Sequence, residues 1–408
     1  MAKIAVIGGG AAGLMAAGRA RELGATVTVF EKNPKFGRKL AITGKGRCNV
    51  TNNCSPEELL RAVVTNPRFL YSSVYGFTPA DTMEFFESRG VKLKTERGNR
   101  VFPVSDKAYD IVDALGAYAS KCRIVRKRVA FLTEREEGGF ALKTEDGISE
   151  SFDSVIICTG GASYPLTGST GDGYAFAVKL GHTVIEPRPS LIPIITKESW
   201  CRELQGLSLK NVALKLILNG RVEYEDFGEM LFTHFGVSGP MILSASAYMK
   251  KTPLSAYRFE LSLKPALDER ELDKRLLSDF GKYRMKNFDN ALDDLLPQKM
   301  IPIIIQLSGI APKKKVHEIT REERERLLVL LRKLEFTPSA FRPIEEAIIT
   351  SGGVSVKEID PKTMCSRLHP GLYFAGEVID VDACTGGYNL QIAFSTARAA
   401  AEAACGMK

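Results

Sequence analysis

The chain has 408 residues, carries 56 Lys and Arg against 48 Asp and Glu for a net charge of +8, and is 44% apolar. At roughly 100–200 residues per domain this length holds two or three domains with sizeable cores, and so ordinary a composition excludes a disordered chain. The eight Cys contain no CxxC pair, which argues against a disulfide framework or any metal site and for a reducing, cytoplasmic setting. The mild basic balance tolerates an anionic ligand without demanding nucleic acid.

In chain order, Lys3–Ile7 predicts a strand, Gly8–Gly13 a turn, Leu14–Leu23 a helix and Thr26–Phe30 a second strand. The 15 uncharged residues from Ile4 to Gly18 mimic a leader or a membrane segment, but five glycines interrupt them and a span needs roughly 18 residues. No other apolar run is long enough, so a soluble protein with no membrane partner is expected. Ser55-Pro56-Glu57-Glu58 and Thr78-Pro79-Ala80-Asp81 each combine a capping side chain, a Pro at the first helical position and an acid at the third. Ser105 is expected to start a further helix running to about Ser120. Ile124–Glu134 and Phe140–Thr144 predict a strand pair around Glu137-Gly138-Gly139. Ser154–Cys158, a continuous apolar run, suits a strand buried on both faces. A glycine loop at Gly168–Gly173 and a helix at Tyr174–Leu180 follow.

Beyond about Leu191 the texture changes to short strands at Leu209–Leu218, Arg221–Tyr224 and Ser255–Leu263. Residues 266–346 read as mostly helical, with Thr320 and Glu323 capping a helix that turns Leu327, Leu328, Leu331 and Leu334 inward. Glycine-rich strand character returns at Ser351. The expected organisation is an α/β domain split into 1–190 and 347–408, interrupted by a β-rich insert at 191–265 and a helical one at 266–346.

The chemistry is concentrated in the split domain. Gly8, Gly10 and Gly13 form GxGxxG between a strand and a helix: one glycine for the tight turn, one for close approach of a diphosphate, one for helix–strand packing. The diphosphate would meet the helix N-terminal amides, and Glu31, closing the second strand, would accept from a ribose hydroxyl. NAD and FAD both remain possible from this fingerprint. The loop from Lys32 to Asn52, rich in Gly, Lys, Arg and amides, has the lining an extended cofactor needs. Gly371–Glu377 then leads into Gly386-Gly387 and a small-residue helix, whose N-terminus can face a second electron-rich group such as a flavin N1/O2 edge.

GGGAAGL at 8–14, GRKLAITGKGRCNVTN at 37–52, RVFPVSDKA at 100–108, LFTHFGVSGP at 231–240, AGEVIDVD at 375–382 and GGYNLQIAFS at 386–395 resemble the BaiN-like (YhiN-type) flavoproteins. That family includes aminoacetone oxidase and a bile-acid-pathway oxidoreductase. The resemblance implies a Rossmann-type FAD-binding domain, split, with an inserted β-barrel and a helical subdomain. It implies that Ala11, Ala12 and Glu31 hold the ADP half and that Arg38, Lys39, Gly44 and Asn49 line the pyrophosphate and flavin side. It also puts Val129 and Thr159-Gly160-Gly161 on the adenine side, Gly376 and Glu377 near the ribityl chain, and Asn389-Leu390 at the flavin ring.

Two residues are candidates for catalysis. His234, in Thr233-His234-Phe235-Gly236, is an acid/base candidate or a loop cap, and Arg100 a candidate for a substrate carboxylate or nicotinamide phosphate. Cys48 and Cys384 lie in expected flavin segments, but no helix-opening dithiol motif joins them, and they read as small core thiols. Ala311–Leu334 holds eight Lys or Arg and four acids, yet no aromatic residue and one leucine face, the pattern of a solvated helix rather than of a nucleic-acid surface. The expected activity is an FAD-dependent oxidoreductase passing hydride through flavin N5 between NAD(P)H and a small organic acceptor or O2. No second strand–GxGxxG–helix unit appears, so NAD(P)H would be a transient co-substrate. The alternatives are an oxidase of small amines and a flavin-bound RNA-binding or RNA-modifying protein.

Overall fold

The computed structural model describes residues 1–250 and 253–407. The chain divides into two compact units, Met1–Ser190 with Pro343–Lys408, and Leu191–Arg342.

The first unit is built on a parallel sheet whose strand order is Leu372–Phe374, Ser154–Ile157, Lys3–Ile7 (β1), Thr26–Phe30 (β2) and Arg123–Val125. Ile4 to Ile7 and Ser154 to Ile157 are buried throughout, as central strands covered on both faces must be. Between β1 and β2 runs the helix Ala11–Glu22 (α1), which packs against the long helix Tyr388–Ala404. The first is rich in Ala and Gly and the second in Ala, so their backbones can lie close. No helix among the described residues is long and apolar enough to cross a membrane.

The Ile124–Glu134 strand of the sequence reading is in fact two strands. Arg123–Val125 joins β2 in parallel, with Thr28 opposite Arg123, while Val129–Glu134 turns away to pair antiparallel with Phe140–Thr144. The break falls on three adjacent cations that need separate partners: Arg126 over the Phe36 ring, Lys127 at Asp146 and Arg128 at Asp172. Ser105 does not cap its helix, which begins at Ala108; its hydroxyl donates to Asp110 and accepts from the Lys107 N–H. The caps at Ser55, Thr78 and Thr320 form as reciprocal boxes.

The second unit holds a seven-stranded sheet centred on the hairpin Ser208–Leu218 and Arg221–Thr233. Its two outermost strands, Leu334–Phe336 and Pro338–Phe341, are consecutive in sequence and separated by Thr337 alone. One bonds to Tyr257–Ser262 and the other to Ile194–Thr196. A single residue bridges only a few ångströms, so the sheet must curl until its edges meet, as a barrel does. These strands lie within 266–346, which is therefore not helical to its end. The three helices of that stretch, Glu269–Lys282, Ile301–Ser308 and Arg321–Arg332, share one core with the strands.

Candidate cofactor site

The first turn is shaped by backbone against backbone. Gly8 has φ +109° and its N–H donates to the Phe30 carbonyl at 2.8 Å; a Cβ there would meet the Cys158 carbonyl oxygen at 2.5 Å. A Cβ on Gly13 would stand 1.8 Å from the Gly8 oxygen. Gly10 differs from both: it is the N-cap of α1, it has no side-chain cap, and nothing lies within 4 Å of the place its Cβ would take. The first turn of α1, with Ala11 and Ala12, holds no acid. Its amides have no intrahelical acceptor. Glu31 reaches back beneath this turn, one carboxylate oxygen accepting from the buried Gly9 N–H at 2.7 Å and the other from Asn33 at 2.7 and 2.8 Å.

The segments expected on the adenine side sit beside it. Thr159-Gly160-Gly161 continues the strand Ser154–Ile157, with Gly160 at φ +72°. A Cβ on Gly161 would lie 2.5 Å from the Thr350 hydroxyl and 2.8 Å from a Glu377 oxygen. Lys32 pairs with Asp172 at 2.7 Å and Arg38 donates to Asn33 at 2.9 Å. Val129 is buried at the start of its strand.

Farther along, Lys39 and Glu377 prove to be partners. The ammonium contacts the carboxylate at 2.6 Å and the Ser163 hydroxyl at 2.7 Å, while Glu377 also accepts from the Thr350 N–H at 2.8 Å. Gly376, at φ +76°, donates its N–H to Thr396 and lies so near α1 that a Cβ would stand 3.0 Å from that of Ala12. The acid-bearing strand end and the first glycine turn are thus parts of one surface. Gly44 has φ +56° in a kink that also holds Lys45 and Cys48 left-handed. Gly387 opens the helix Tyr388–Ala404 at φ +98°, where a Cβ would hit the Thr51 carbonyl at 2.3 Å. The Asn389 amide grips the Ala383 backbone at both N–H and C=O, at 3.0 and 2.8 Å, so its side chain braces the neighbouring loop; Leu390 is half-buried beside it.

Sequence reasoning missed the residues that tie these segments together. Gln391, fully buried, accepts from the Thr51 hydroxyl at 2.7 Å and donates to the Phe77 carbonyl and to Ser395. Asn52 donates to the carbonyls of Gly98 and Gly386, both at 3.0 Å. The available signal was Gln391, Ser395 and Thr396 set among alanines, too polar for an unpartnered core helix.

Arg100 is paired across strands with Asn52, and its Nε donates to the Arg97 carbonyl at 3.0 Å. That places it next to the segment holding Gly386. His234 belongs to the second unit, exposed in the turn between Arg221–Thr233 and Gly236–Ser238, its ring edge-on to Phe235 at 5.0 Å. Cys48 is a fully buried thiol pushed up to about 12 by that burial, and the structure pairs it with no second cysteine. It is no thiolate at neutral pH.

A dinucleotide fits this surface on three observations. The space over Gly10 is open, the α1 amides face it uncapped, and two buried side-chain oxygens in the expected lining, Asn49 Oδ1 and Thr159 Oγ1, have no hydrogen-bond partner within the protein. Orphaned buried acceptors of this kind are rare without a ligand or water. Among the described residues no cluster of His, Cys, Asp and Glu could hold a metal ion.

Such a fold and site define a Rossmann-type flavoprotein oxidoreductase. The HI0933-like protein Rossmann domain matches residues 2–403, and the chain belongs to that family. It is 32% identical over 403 residues to a ribosomal RNA dihydrouridine synthase of Haemophilus influenzae, covering 97% of this chain and 96% of the relative. It is 30% identical over 413 residues to the 3-dehydro-bile acid delta(4,6)-reductase of Clostridium scindens, covering 99% of each. Among solved structures, a 3-ketosteroid-delta4-(5alpha)-dehydrogenase from Rhodococcus jostii RHA1 is similar in fold, with TM-score 0.53, 16% identity and coverage of 99% of this chain and 96% of the other.

Proposed function

We propose that the protein is a cytoplasmic FAD-dependent reductase acting on a carbon–carbon double bond conjugated to a carbonyl, with NAD(P)H as electron donor and a small molecule as acceptor. One observation carries this reading: two relatives of nearly equal identity, matched over almost their whole lengths, are named for saturating such a bond. A Δ4 bond beside a 3-oxo group and the C5–C6 bond of uracil both lie in conjugation with a carbonyl. The shared chain would then supply the shared chemistry.

Bound FAD, once reduced by NAD(P)H, would supply hydride through N5 to the carbon β to the carbonyl, with a proton from solvent completing the α carbon. The chain's own part is positioning and electrostatics. Gly8, Gly10 and Gly13 and the amides at Ala11 and Ala12 hold the diphosphate. Glu31 keeps lone pairs for ribose hydroxyls beyond those its protein donors use. Thr159 to Gly161 and the Val129 backbone take the adenine side, and Asn49, with its orphaned oxygen, an edge of the flavin half. Gly387 directs the amide end of the Tyr388–Ala404 helix at the part of the ring that gains negative charge on reduction. Among the described residues there is no second strand–glycine–helix unit, so the nicotinamide nucleotide binds transiently, and Arg100 is our candidate for its phosphate.

The experiment is anaerobic mixing of the yellow holoenzyme with NADH, NADPH or aminoacetone, followed by a 4-ene-3-oxo steroid or a uridine-containing RNA. The reading expects bleaching by NAD(P)H, reoxidation by the steroid and one equivalent of its saturated product; reoxidation by the RNA alone would replace it with the RNA-modifying alternative. Bleaching by the amine alone would replace it with the oxidase alternative, and reoxidation only by O2 would contradict it.

A further inference from the structure

Two loops of the second unit concentrate charge for which the proposed reaction has no use. Residues 282–290 and 311–318 carry six Lys or Arg against Asp289 and Glu318, a surplus of four, half the net charge of the whole chain. The loops are pinned together. Asn287 and Lys315 form an antiparallel bridge, the Phe288 N–H donates to the Lys314 carbonyl at 2.9 Å, and the Val316 N–H to the Lys286 carbonyl at 3.1 Å. Phe288 and Val316 are buried beneath them. A backbone so anchored fixes where the surface side chains stand, and Lys286, Asn287, Asn290 and Lys315 line a solvent-open cavity of about 320 Å³.

The neighbouring acids are already matched. Lys313 holds Asp289 at 2.7 Å, Lys282 holds Asp294 at 2.6 Å, and Lys314 holds Glu323 at 2.8 Å. Glu318 accepts from the Lys315 backbone N–H at 3.3 Å. Along the following helix, Arg321 pairs with Glu325 and Arg324 with Asp273, so that face is neutralised, as the sequence suggested. The cavity lysines are not so matched. Lys286 lies 4.5 Å from the Tyr283 ring centre and Lys315 donates to the Met285 carbonyl at 3.2 Å; among the described residues neither has a carboxylate partner.

Two ammonium groups without carboxylate partners and the Asn287 carboxamide around one pocket suit a compact, multiply charged oxyanion, which can take several charge-assisted hydrogen bonds at once; the Asn290 amide is already committed to Asp289 at 2.7 Å. We propose that this cradle binds phosphate, carried either by a small phosphorylated molecule or by an RNA backbone. The site is independent of the flavin chemistry, so it stands or falls apart from the reaction proposed above.

The test compares FAD-loaded wild type with the Lys286→Gln, Lys315→Gln double variant; loading the holoenzyme keeps its dinucleotide site from answering for the cradle. Inorganic pyrophosphate is read by thermal shift, and a fluorescent RNA hairpin by anisotropy at two salt concentrations. Pyrophosphate should raise the melting temperature of wild type and not of the variant. If RNA is the source, the variant should bind the hairpin on the order of 10-fold more weakly, with a log–log salt slope shallower by about 1–2. A pyrophosphate effect without hairpin binding assigns the cradle to small phosphorylated molecules. Lys313→Gln, whose ammonium is already held by Asp289, should leave both probes unchanged. Equal responses of wild type and the double variant, or no response to either probe, would overturn the proposal; flavin absorbance and melting temperature without ligand verify that the variants are folded.

Discussion

At the first glycine turn the geometry is made by backbone meeting backbone alone, whereas at the second a backbone contact is held in place by buried polar side chains. Gly8, Gly13 and the Cys158 carbonyl leave no room for a methyl group, and the turn can take one course. Around Gly387, where a Cβ would meet the Thr51 carbonyl, that contact is held by Gln391 and Asn52, which clamp segments far apart in sequence, and by Asn389, which braces the nearby Ala383. The lesson is that one FAD surface rests on two kinds of support, one steric and local, the other polar and long-range. They should fail differently.

The largest expected effect is at the steric end. Gly13→Ala forces a Cβ against the Gly8 oxygen, where no flexible group can yield. Overpacking of about 3 kcal/mol concentrated in the turn should cost on the order of 100-fold or more in FAD affinity. Titration of apoprotein with FAD checks it, and an intact affinity would mean that the turn is softer than described here. At the polar end, Gln391→Leu leaves the Thr51 hydroxyl without its buried acceptor, while the Phe77 carbonyl keeps the Ser395 hydroxyl as a donor. An orphaned group of this kind costs about 1–3 kcal/mol, and denaturant unfolding should show the apoprotein destabilised by that amount. The contrast with Gly13→Ala sharpens if that loss appears in stability before it appears in affinity.

Lys39→Met tests the ion pair lying between the two regions. Glu377 would keep Thr350 and Ser163 as donors, which limits the loss to about 1–2 kcal/mol. Adding Glu377→Gln should recover part of it, because the stranded charge is removed; an additive double variant would show that the pair is not coupled.

The smallest effect lies outside both regions. The His182 ring is buried between Glu358, Ser366, His369 and Phe374, and burial depresses its pKa further than the Glu358 carboxylate at 3.1 Å restores it. A group that prefers to be neutral when folded contributes stability above its unfolded pKa, about 6.5, and loses it as pH falls through that value. Wild type should therefore lose up to about 1 kcal/mol between pH 7.5 and 5.5, and His182→Gln should lose less across the same interval. Equal losses would remove His182 as the cause.

The same division explains what could be read from the sequence. β1, β2 and the glycine turn are legible because strand burial, tight turn and helix opening are all set within thirty residues by side-chain size. The caps at Ser55, Thr78 and Thr320 are legible for the same local reason. The sequence marks Lys39 and Glu377 each as a cofactor contact, yet their pairing across 338 residues of sequence carries no local trace. Gln391 went unnoticed because its partners, Thr51 and Phe77, come from segments that meet only in the folded domain. The barrel closure through Thr337 was hidden by helix-rich surroundings.

Gly10→Ala tests most directly whether the open space over Gly10 belongs to the FAD diphosphate. At φ −86° alanine is sterically free, and within the protein nothing lies within 4 Å of the added methyl. Losing glycine at an N-cap costs at most about 1 kcal/mol, so the apoprotein should melt almost where wild type does. FAD affinity should nevertheless fall on the order of 10- to 100-fold, because the methyl would stand where phosphate oxygens approach the α1 amides. An apoprotein of unchanged stability that binds FAD as tightly as wild type would contradict the account.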